Sequence, residues 1–282
     1  MSAISWTSER VAFLRKQAHQ HKYDHGHLLV LSGPRFRTGA ARMAALAALR
    51  VGAGLVTLGG SQGAMKEMAP SLLEIMLTEI DRPQDLSARL ERDQRIGTLC
   101  LGPALGLTDR AAGLVDVALR SGRSCVLDAD ALTLIAQNKV LRDALHKDCI
   151  LTPHAGEFSR LCPDLPIGRS EDARQNAVHT AAEALGCVVL LKGAMTVIGS
   201  PDGQLSVLDS SQMQSAPWLA TAGAGDVLAG LIAGLMARGA APGAAAETGA
   251  LLHVTAAADF GPGLIAGDVI AILPKVLAEL GV

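Results

Sequence analysis

Residues 98–127 alternate between short apolar runs and a helix-length segment, and this pattern restricts the fold more than any other feature of the chain. Residues 98–101 and 124–127 have the composition of buried strands, and residues 109–120 between them have that of a helix. Two strands joined by a helix form a right-handed unit with parallel strands. Ligands of such sheets bind beyond the carboxyl ends of the strands, so we expect functional residues there.

Other apolar runs extend the pattern along the chain. At 282 residues and 49% hydrophobic content, the chain can bury one large core, and we predict a single domain over 1–282 with a polar leader over 1–20. Aromatic residues make up only 2%, so the helices must pack through alanine and leucine. The sequence predicts further strands at 28–31, 55–58, 149–151, 186–191 and 205–208, and helices at 40–51, 227–237, 244–260 and near 267–280, the last with an early proline.

Charge and composition exclude several classes of partner. The formal net charge is −2 and the basic residues are scattered, so neither nucleic acid nor an anionic membrane is expected as a partner. No stretch approaches the length of a membrane span, and residues 1–15 contain no signal-peptide apolar region, which predicts a cytoplasmic protein. The five cysteines are odd in number and widely spaced, so we expect neither a disulfide framework nor a zinc site.

A turn of small residues at 220–230 contains the pattern Gly-x-Gly-Asp, with Asp226 near the start of a helix. Its small side chains leave backbone N–H groups open to an anion, and the carboxylate beside them could accept a proton. This layout suits phosphoryl transfer. The pattern matches neither a P-loop nor a complete dinucleotide fingerprint, and an ordinary loop-to-helix junction stays an open alternative.

Polar residues also follow other strands. Asp128 and Asp130 come after the strand at 124–127 and could hold a substrate ribose or a hydrated metal, or Asp130 could cap the next helix. His154 and Glu157 open a helix, where a capping role is the alternative to ligand contact. Lys192 follows the run at 186–191, where the alternative is a solvated hairpin.

Two further patterns point elsewhere. Residues 59–63 fit the Gly-x-Ser-x-Gly elbow of serine hydrolases, with Asp128 and His154 downstream in the required order, although the following helix is short. The histidines at 19, 21, 25 and 27 could suggest a metal site, but they lack a matching second cluster, and we interpret the segment as a solvated loop.

Taken together, four separated motifs resemble the ADP-dependent NAD(P)H-hydrate dehydratases of the ribokinase-like superfamily. The motifs are Gly-Ala-Ala at 39–41 before Leu-Arg-Val-Gly-Ala-Gly-Leu-Val at 49–56, Leu-Thr-Pro-His-Ala-Gly-Glu-Phe at 151–158, Leu-Lys-Gly-Ala-Met-Thr at 191–196, and the turn with its flanks at 220–234. The resemblance spans about residues 22–275. It implies a three-layer α/β/α sandwich with a mostly parallel central sheet.

The resemblance also implies an activity and a set of site residues. The enzyme would dehydrate the S-form hydrates of NADH and NADPH by phosphorylating the ring hydroxyl from ADP with Mg²⁺ and then eliminating phosphate, and it would be a homo-oligomer, a tetramer in the family. Asp226 would be the catalytic base. The implied anion hole is Gly223, Ala224 and Gly225; the substrate-binding residues are Ala40, Gly102, Gly106, His154 and Asp226; the ADP-binding residues are Lys192, Gly193, Ala194, Met195, Thr196 and Gly225; and Glu157 would approach Mg²⁺ indirectly.

The chain departs from the family pattern at two turns. Ala104 stands where the family usually has the middle glycine of Gly-Pro-Gly-Leu-Gly, and Ala216 lies where an asparagine pair commonly precedes the anion hole. Trp218 beside it could cover the site or pack as an ordinary aromatic. These departures leave two alternatives: a ribokinase-like small-molecule kinase, and a non-catalytic nucleotide-binding homologue.

Overall fold

A ten-stranded sheet lies at the centre of the computed structural model, which describes residues 2–168 and 170–282. The order of the strands is β1-β10-β9-β8-β7-β6-β5-β2-β3-β4. In chain order the strands are β1 (Ser2–Ala3), β2 (His27–Leu31), β3 (Leu55–Gly60), β4 (Met76–Glu79), β5 (Ile96–Leu101), β6 (Ser124–Leu127), β7 (Cys149–Leu151), β8 (Val188–Leu191), β9 (Met195–Gly199) and β10 (Leu205–Asp209).

The sheet is mostly parallel, as the sequence predicted. Within the described residues only β9 runs against the other strands, because it forms hairpins with both β8 and β10. The remaining neighbours pair in parallel. The carboxyl ends of β6, β7 and β8 therefore lie side by side at one edge of the sheet.

Helices cover both faces of the sheet. They are α1 (Ser8–Leu14), α2 (Gly39–Arg50), α3 (Gln62–Met68), α4 (Pro83–Arg92), α5 (Asp109–Arg120), α6 (Asp130–Gln137), α7 (Lys139–Asp143), α8 (Ala155–Leu161), α9 (Glu171–Leu185), α10 (Ala224–Ala237), α11 (Pro242–Phe260) and α12 (Ala266–Glu279). Side chains of β2 alternate between two buried clusters: Leu28 and Val30 pack with α2, α10, α11 and α12, while Leu29 and Leu31 pack with α5, α6 and α9. Two cores, one on each face, confirm the three-layer α/β/α arrangement.

Glycine allows α10 to approach α2 closely. A Cβ added at Gly230 would lie 2.2 Å from the carbonyl oxygen of Ala44, and one at Gly234 would lie 2.8 Å from Cα of Ala48. Any side chain larger than hydrogen would force the helices apart. The small residues thus hold the start of α10 in a fixed position beside α2.

Several expectations need correction. The polar leader belongs to the fold, since β1 pairs with β10 and Leu14 of α1 is buried; Met1 lies outside the described residues. The proline expected early in the last helix, Pro274, lies within the helix, which begins at Ala266. His25 and His27 are buried rather than solvated, and Nε2 of His27 lies 2.8 Å from Oγ1 of Thr57.

In the part of the chain that the structure describes, no helix is both long and apolar enough to cross a membrane.

Candidate active site

The Gly-x-Gly-Asp turn forms the start of α10. The helix begins at Ala224, two residues earlier than the sequence suggested, and Gly223 before it has a φ of +88°, a left-handed conformation that favours glycine. The N–H of Ala224 donates to the carbonyl of Thr221 at 3.3 Å. The first N–H groups of a helix have no acceptor within it, so the turn offers donors for an anion beyond Gly223.

Asp226 lies in the first turn of α10 and is largely buried. The pKa of its carboxyl group is raised from 3.8 to about 6, mainly by burial and to a smaller extent by the nearby Asp128, while Lys192 opposes the shift. A carboxyl group with a pKa close to neutral suits a general base, because it is mostly deprotonated at neutral pH and is still basic enough to accept a proton. The electrostatics of the turn therefore agree with proton abstraction by Asp226.

A lysine and two further carboxylates surround this group. Lys192 Nζ donates to Oδ1 of Asp128 at 2.7 Å and lies 3.9 Å from Oε2 of Glu157. A Cβ at Gly225 would lie 3.3 Å from Lys192 Nζ and 3.7 Å from Oδ2 of Asp128. The start of α10 thus lies directly against the Lys192–Asp128 pair, and the residues that follow β6, β7 and β8 form one cluster with Asp226.

His154 and Glu157 form the cap of α8. The ring Nδ1 of His154 accepts from the N–H of Gly156 at 3.0 Å, and a carboxylate oxygen of Glu157 accepts from the N–H of His154 at 2.8 Å. The capping alternative for His154 is confirmed by this geometry. Its ring is also about half exposed, and Nε2 lies 3.4 Å from Oε1 of Glu157.

The turn at 102–106 packs against the residues that follow β6. A Cβ at Gly102 would lie 1.7 Å from the carbonyl oxygen of Asp128, so only glycine fits there. Ala104 has a φ of +54°, a conformation that costs an alanine about 1 kcal/mol. The N–H of Gly106 donates to Oδ2 of Asp130 at 2.8 Å. Asp130 therefore stabilises this turn through a hydrogen bond. It does not cap α6, whose N-cap residue is Ala129.

The segment 192–196 forms the hairpin between β8 and β9. The N–H of Lys192 donates to the carbonyl of Pro153 at 2.8 Å, and Thr196 Oγ1 donates to the carbonyl of Gly193 at 3.0 Å. Ala194 is exposed, and its carbonyl accepts from Ser210 Oγ at 2.8 Å. The hairpin alternative is therefore correct as local structure: Lys192 is partly buried, and Gly193 and Ala194 at the tip are exposed.

Two residues near the site were not identified as functional from the sequence. Arg174 of α9 donates to the carbonyl of Lys192 at 3.0 Å, and burial lowers the pKa of its guanidinium group. In sequence it looks like any charge on a helix surface. His253 of α11 is buried in the core; burial lowers the pKa of its ring to about 4, with a smaller contribution from Lys192.

A cavity of about 360 Å³ adjoins the turn. Its walls include Trp218, Thr221 and Ile265, and Trp218 is 46% exposed, so it forms a wall of the cavity and is not part of the core. Across the turn, a Cβ at Gly223 would lie 2.5 Å from the terminal methyl of Met43 on α2. Ala40 lies one helical turn before Met43 and is partly exposed, on the same side of the molecule as the turn.

The serine-hydrolase alternative is wrong. Ser61 has an unstrained extended backbone with φ −63°, and its Oγ accepts from the N–H of Ala64 as the cap of α3. The downstream partners are engaged elsewhere, Asp128 with Lys192 and His154 with the start of α8.

Similar proteins agree with this geometry. A family model described as NAD(P)H-hydrate dehydratase matches residues 28–269. The bifunctional NAD(P)H-hydrate repair enzyme Nnr of Moorella thermoacetica is 38% identical over 279 residues, which cover 94% of this chain and 52% of the relative. The chain spans about half the length of the curated relatives it matches.

Solved structures give the same result. A ribokinase-like superfamily protein of Enterococcus faecalis superposes with a TM-score of 0.80 at 22% identity, over 96% of this chain and 94% of that one. An ADP/ATP-dependent NAD(P)H-hydrate dehydratase of Bacillus subtilis, co-crystallised with ATP and Mg²⁺, superposes with a TM-score of 0.84 at 30% identity over 99% of each chain. The fold and the turn at the start of α10 define a ribokinase-like α/β protein. Within that class, the chain belongs to the NAD(P)H-hydrate dehydratase family.

Proposed function

We propose that the chain catalyses the ADP-dependent dehydration of the S-form hydrates of NADH and NADPH. One observation carries the proposal: Asp226, with a pKa of about 6, lies partly buried at the start of α10 beside the Lys192–Asp128 pair. Membership in the NAD(P)H-hydrate dehydratase family supports the substrate class. The similar structure from Bacillus subtilis, described as ADP/ATP-dependent, supports a nucleotide as the phosphoryl donor.

The chemistry follows from the residues of the turn. Asp226 accepts the proton of the ring hydroxyl, whose oxygen then forms a bond to the terminal phosphorus of ADP while the phosphoanhydride bond breaks and AMP leaves. The Gly223–Gly225 turn donates N–H groups to the negative charge that develops on the transferring phosphoryl group. The bond between the ring carbon and the phosphate oxygen then breaks, inorganic phosphate leaves, and the adjacent ring carbon loses a proton to solvent, which forms the ring double bond of the reduced nicotinamide. Binding orients both reactants, which lowers the entropic part of the barrier.

Two surfaces on either side of the turn hold the ligands in this proposal. The hairpin from Lys192 to Thr196 seats ADP, with Lys192 as the cation nearest the phosphates. Ala40, Gly102, Gly106 and His154 line the side that presents the ring hydroxyl. The support is positional: Lys192 and His154 both follow strands at the carboxyl end of the sheet, and Lys192 lies near Asp226.

The charge of the cluster suits a divalent cation. Asp128, Glu157 and Asp226 share one lysine, so the cluster carries excess negative charge when its carboxyl groups are ionised. Glu157 is buried and both of its oxygens face nearby groups, so it would contact hydrated Mg²⁺ only through water. When bound, Mg²⁺ would neutralise negative charge on the nucleotide phosphates.

The test is turnover of hydrated NADH by the purified chain with ADP and Mg²⁺. We expect recovery of the near-ultraviolet absorbance of reduced nicotinamide together with release of inorganic phosphate. Asp226→Ala should lose turnover and keep the thermal shift produced by ADP. A stable phosphorylated product would instead indicate a small-molecule kinase, and nucleotide binding by the wild-type chain without turnover would indicate a non-catalytic homologue.

Nucleotide and cofactor preference form a separate part of the proposal. Because a ligand that binds the folded state raises its stability with occupancy, melting shifts with ADP, ATP, AMP, NADH and NADPH rank the affinities directly. We expect the largest shift from ADP with Mg²⁺. A larger melting shift and faster turnover with ATP than with ADP would show that ATP, and not ADP, is the phosphoryl donor.

We also propose that residues 1–282 act as a single ribokinase-like domain in a cytoplasmic homo-oligomer, and that neither nucleic acid nor a membrane is a partner. The resemblance of the sequence motifs to the ADP-dependent NAD(P)H-hydrate dehydratases supports the homo-oligomer. Light scattering of the purified chain should give a mass that is a multiple of 29.1 kDa, and four times this mass for a tetramer.

A further inference from the structure

A second cluster of reactive side chains lies at the amino end of the sheet, opposite the site described above. It contains Cys125 in β6, Cys149 at the start of β7, and His146 in the turn before β7, and their ligand atoms all lie within 4.8 Å of one another. Cys125 and Cys149 are register partners on neighbouring strands. Asp128, three residues after Cys125, lies about 10 Å away along the strand, so the two clusters are separate.

The three side chains have the chemistry of a zinc site. Both thiols are free and fully buried, while His146 is partly exposed and gives access from solvent. A tetrahedral Zn²⁺ ion binds sulfur at about 2.3 Å and imidazole nitrogen at about 2.0 Å, which places neighbouring ligand atoms a little under about 4 Å apart. The observed separations allow this arrangement with small side-chain rotations, because adjacent strands already hold the two cysteines opposite each other.

The histidine ring has a nitrogen available for a metal. Nε2 of His146 is buried and has no hydrogen-bond partner among residues 2–168 and 170–282. Nδ1 accepts from the N–H of Asp148 at 3.3 Å, a long hydrogen bond. The Cys125 thiol contacts the carbonyls of Arg123 at 3.4 Å and Ala118 at 3.7 Å. Metal binding would therefore replace these thiol contacts and the long hydrogen bond at His146.

We propose that Cys125 Sγ, Cys149 Sγ and His146 Nε2 bind one Zn²⁺ ion, with water as the fourth ligand. Each thiol releases its proton to solvent on binding, and the ring proton of His146 moves to Nδ1, which then no longer accepts the hydrogen bond from the N–H of Asp148. The ion joins β6 to β7 at their amino ends, while the opposite ends of the same strands carry Asp128 and His154. The bound ion would fix these two strands relative to each other, with three protein ligands and one open position.

The proposal is tested with Co²⁺ and Zn²⁺ on the full chain after treatment with a chelator. We expect one metal ion per chain in native mass spectrometry, a thiolate-to-Co²⁺ charge-transfer band, and loss of this band when Zn²⁺ is added. Cys149→Ala should abolish the band. Cys162→Ala, which removes another buried free thiol outside the cluster, should keep it.

A further variant protects the test against misfolding. His146 is partly exposed, so His146→Ala should fold, and loss of a ligand should weaken Zn²⁺ binding by at least about tenfold. If the wild-type chain shows no charge-transfer band, or if Cys149→Ala and His146→Ala bind metal as tightly as Cys162→Ala, the three side chains are ordinary core residues and the proposal is wrong.

Discussion

Replacing Asp226 by asparagine should remove activity and at the same time stabilise the fold. The pKa of the carboxyl group rises from 3.8 to about 6 in the folded chain, so the fold disfavours its ionised form. A shift of about 2 pKa units corresponds to about 3 kcal/mol. Because the group is partly reached by solvent, we expect a net gain for Asp226→Asn of about 1–3 kcal/mol at neutral pH.

The gain should depend on pH in a defined direction. The folded-state pKa of Asp226 lies above the unfolded one, so its favourable contribution is fully present below about pH 4 and is lost as the pH rises through about 6. Asparagine does not titrate, so the difference in free energy of unfolding between variant and wild type should be near zero at about pH 4 and reach its full size by about pH 7. At that pH the melting temperature should rise by about 2–6 °C.

Urea unfolding across this pH range measures the difference in free energy of unfolding between variant and wild type. Asp164→Asn, a change at an exposed loop carboxylate, is the matched control, and its difference from wild type should not change with pH in this way. Turnover of wild type should increase as the pH rises through about 6, since the base must lose its proton, and should fall by about 10²–10⁴-fold in Asp226→Asn. A variant that is no more stable than wild type at neutral pH, or a difference that does not change with pH, would refute the reasoning.

Three further variants test packing around the site. Gly225→Ala places a methyl carbon 3.3 Å from Lys192 Nζ, so turnover should fall at least about tenfold in a steady-state assay while the melting temperature changes little. Gly230→Ala forces α10 from α2 and should cost about 3 kcal/mol in urea unfolding, whereas Gly97→Ala, where a methyl meets no neighbour, should be neutral. Ala104→Gly relieves a φ of +54° and should raise the free energy of unfolding by about 0.5 kcal/mol.

Local patterns were sufficient for most of the secondary structure. The strand at Ser124–Leu127 and the helix at Asp109–Arg120 have the bounds that the sequence predicted. Hydrophobic periodicity and cap residues act within one element, so they can be identified without knowledge of its neighbours. Burial, in contrast, depends on the neighbouring elements. His27 looks polar in sequence, yet it is buried in β2 against Thr57 of the neighbouring strand.

The residues of the site were predicted from the sequence, whereas their partners were not. The motifs placed Asp226, Lys192 and His154 in the chain and predicted that they follow strands or open helices, which the structure confirms. The partners of these residues come from distant positions: Lys192 follows β8 and pairs with Asp128, which follows β6, and this pairing depends on the order of β6, β7 and β8 in the sheet.

The sequence by itself determined the α/β fold, the helix start at the Gly-x-Gly-Asp turn and the residue types available for phosphoryl transfer, because each is encoded in a few neighbouring residues. Only the tertiary structure decided that Asp226 titrates at about 6. The same holds for the meeting of Cys125, Cys149 and His146. Burial and the distances between charged groups depend on how the whole chain packs, so no local pattern contains them.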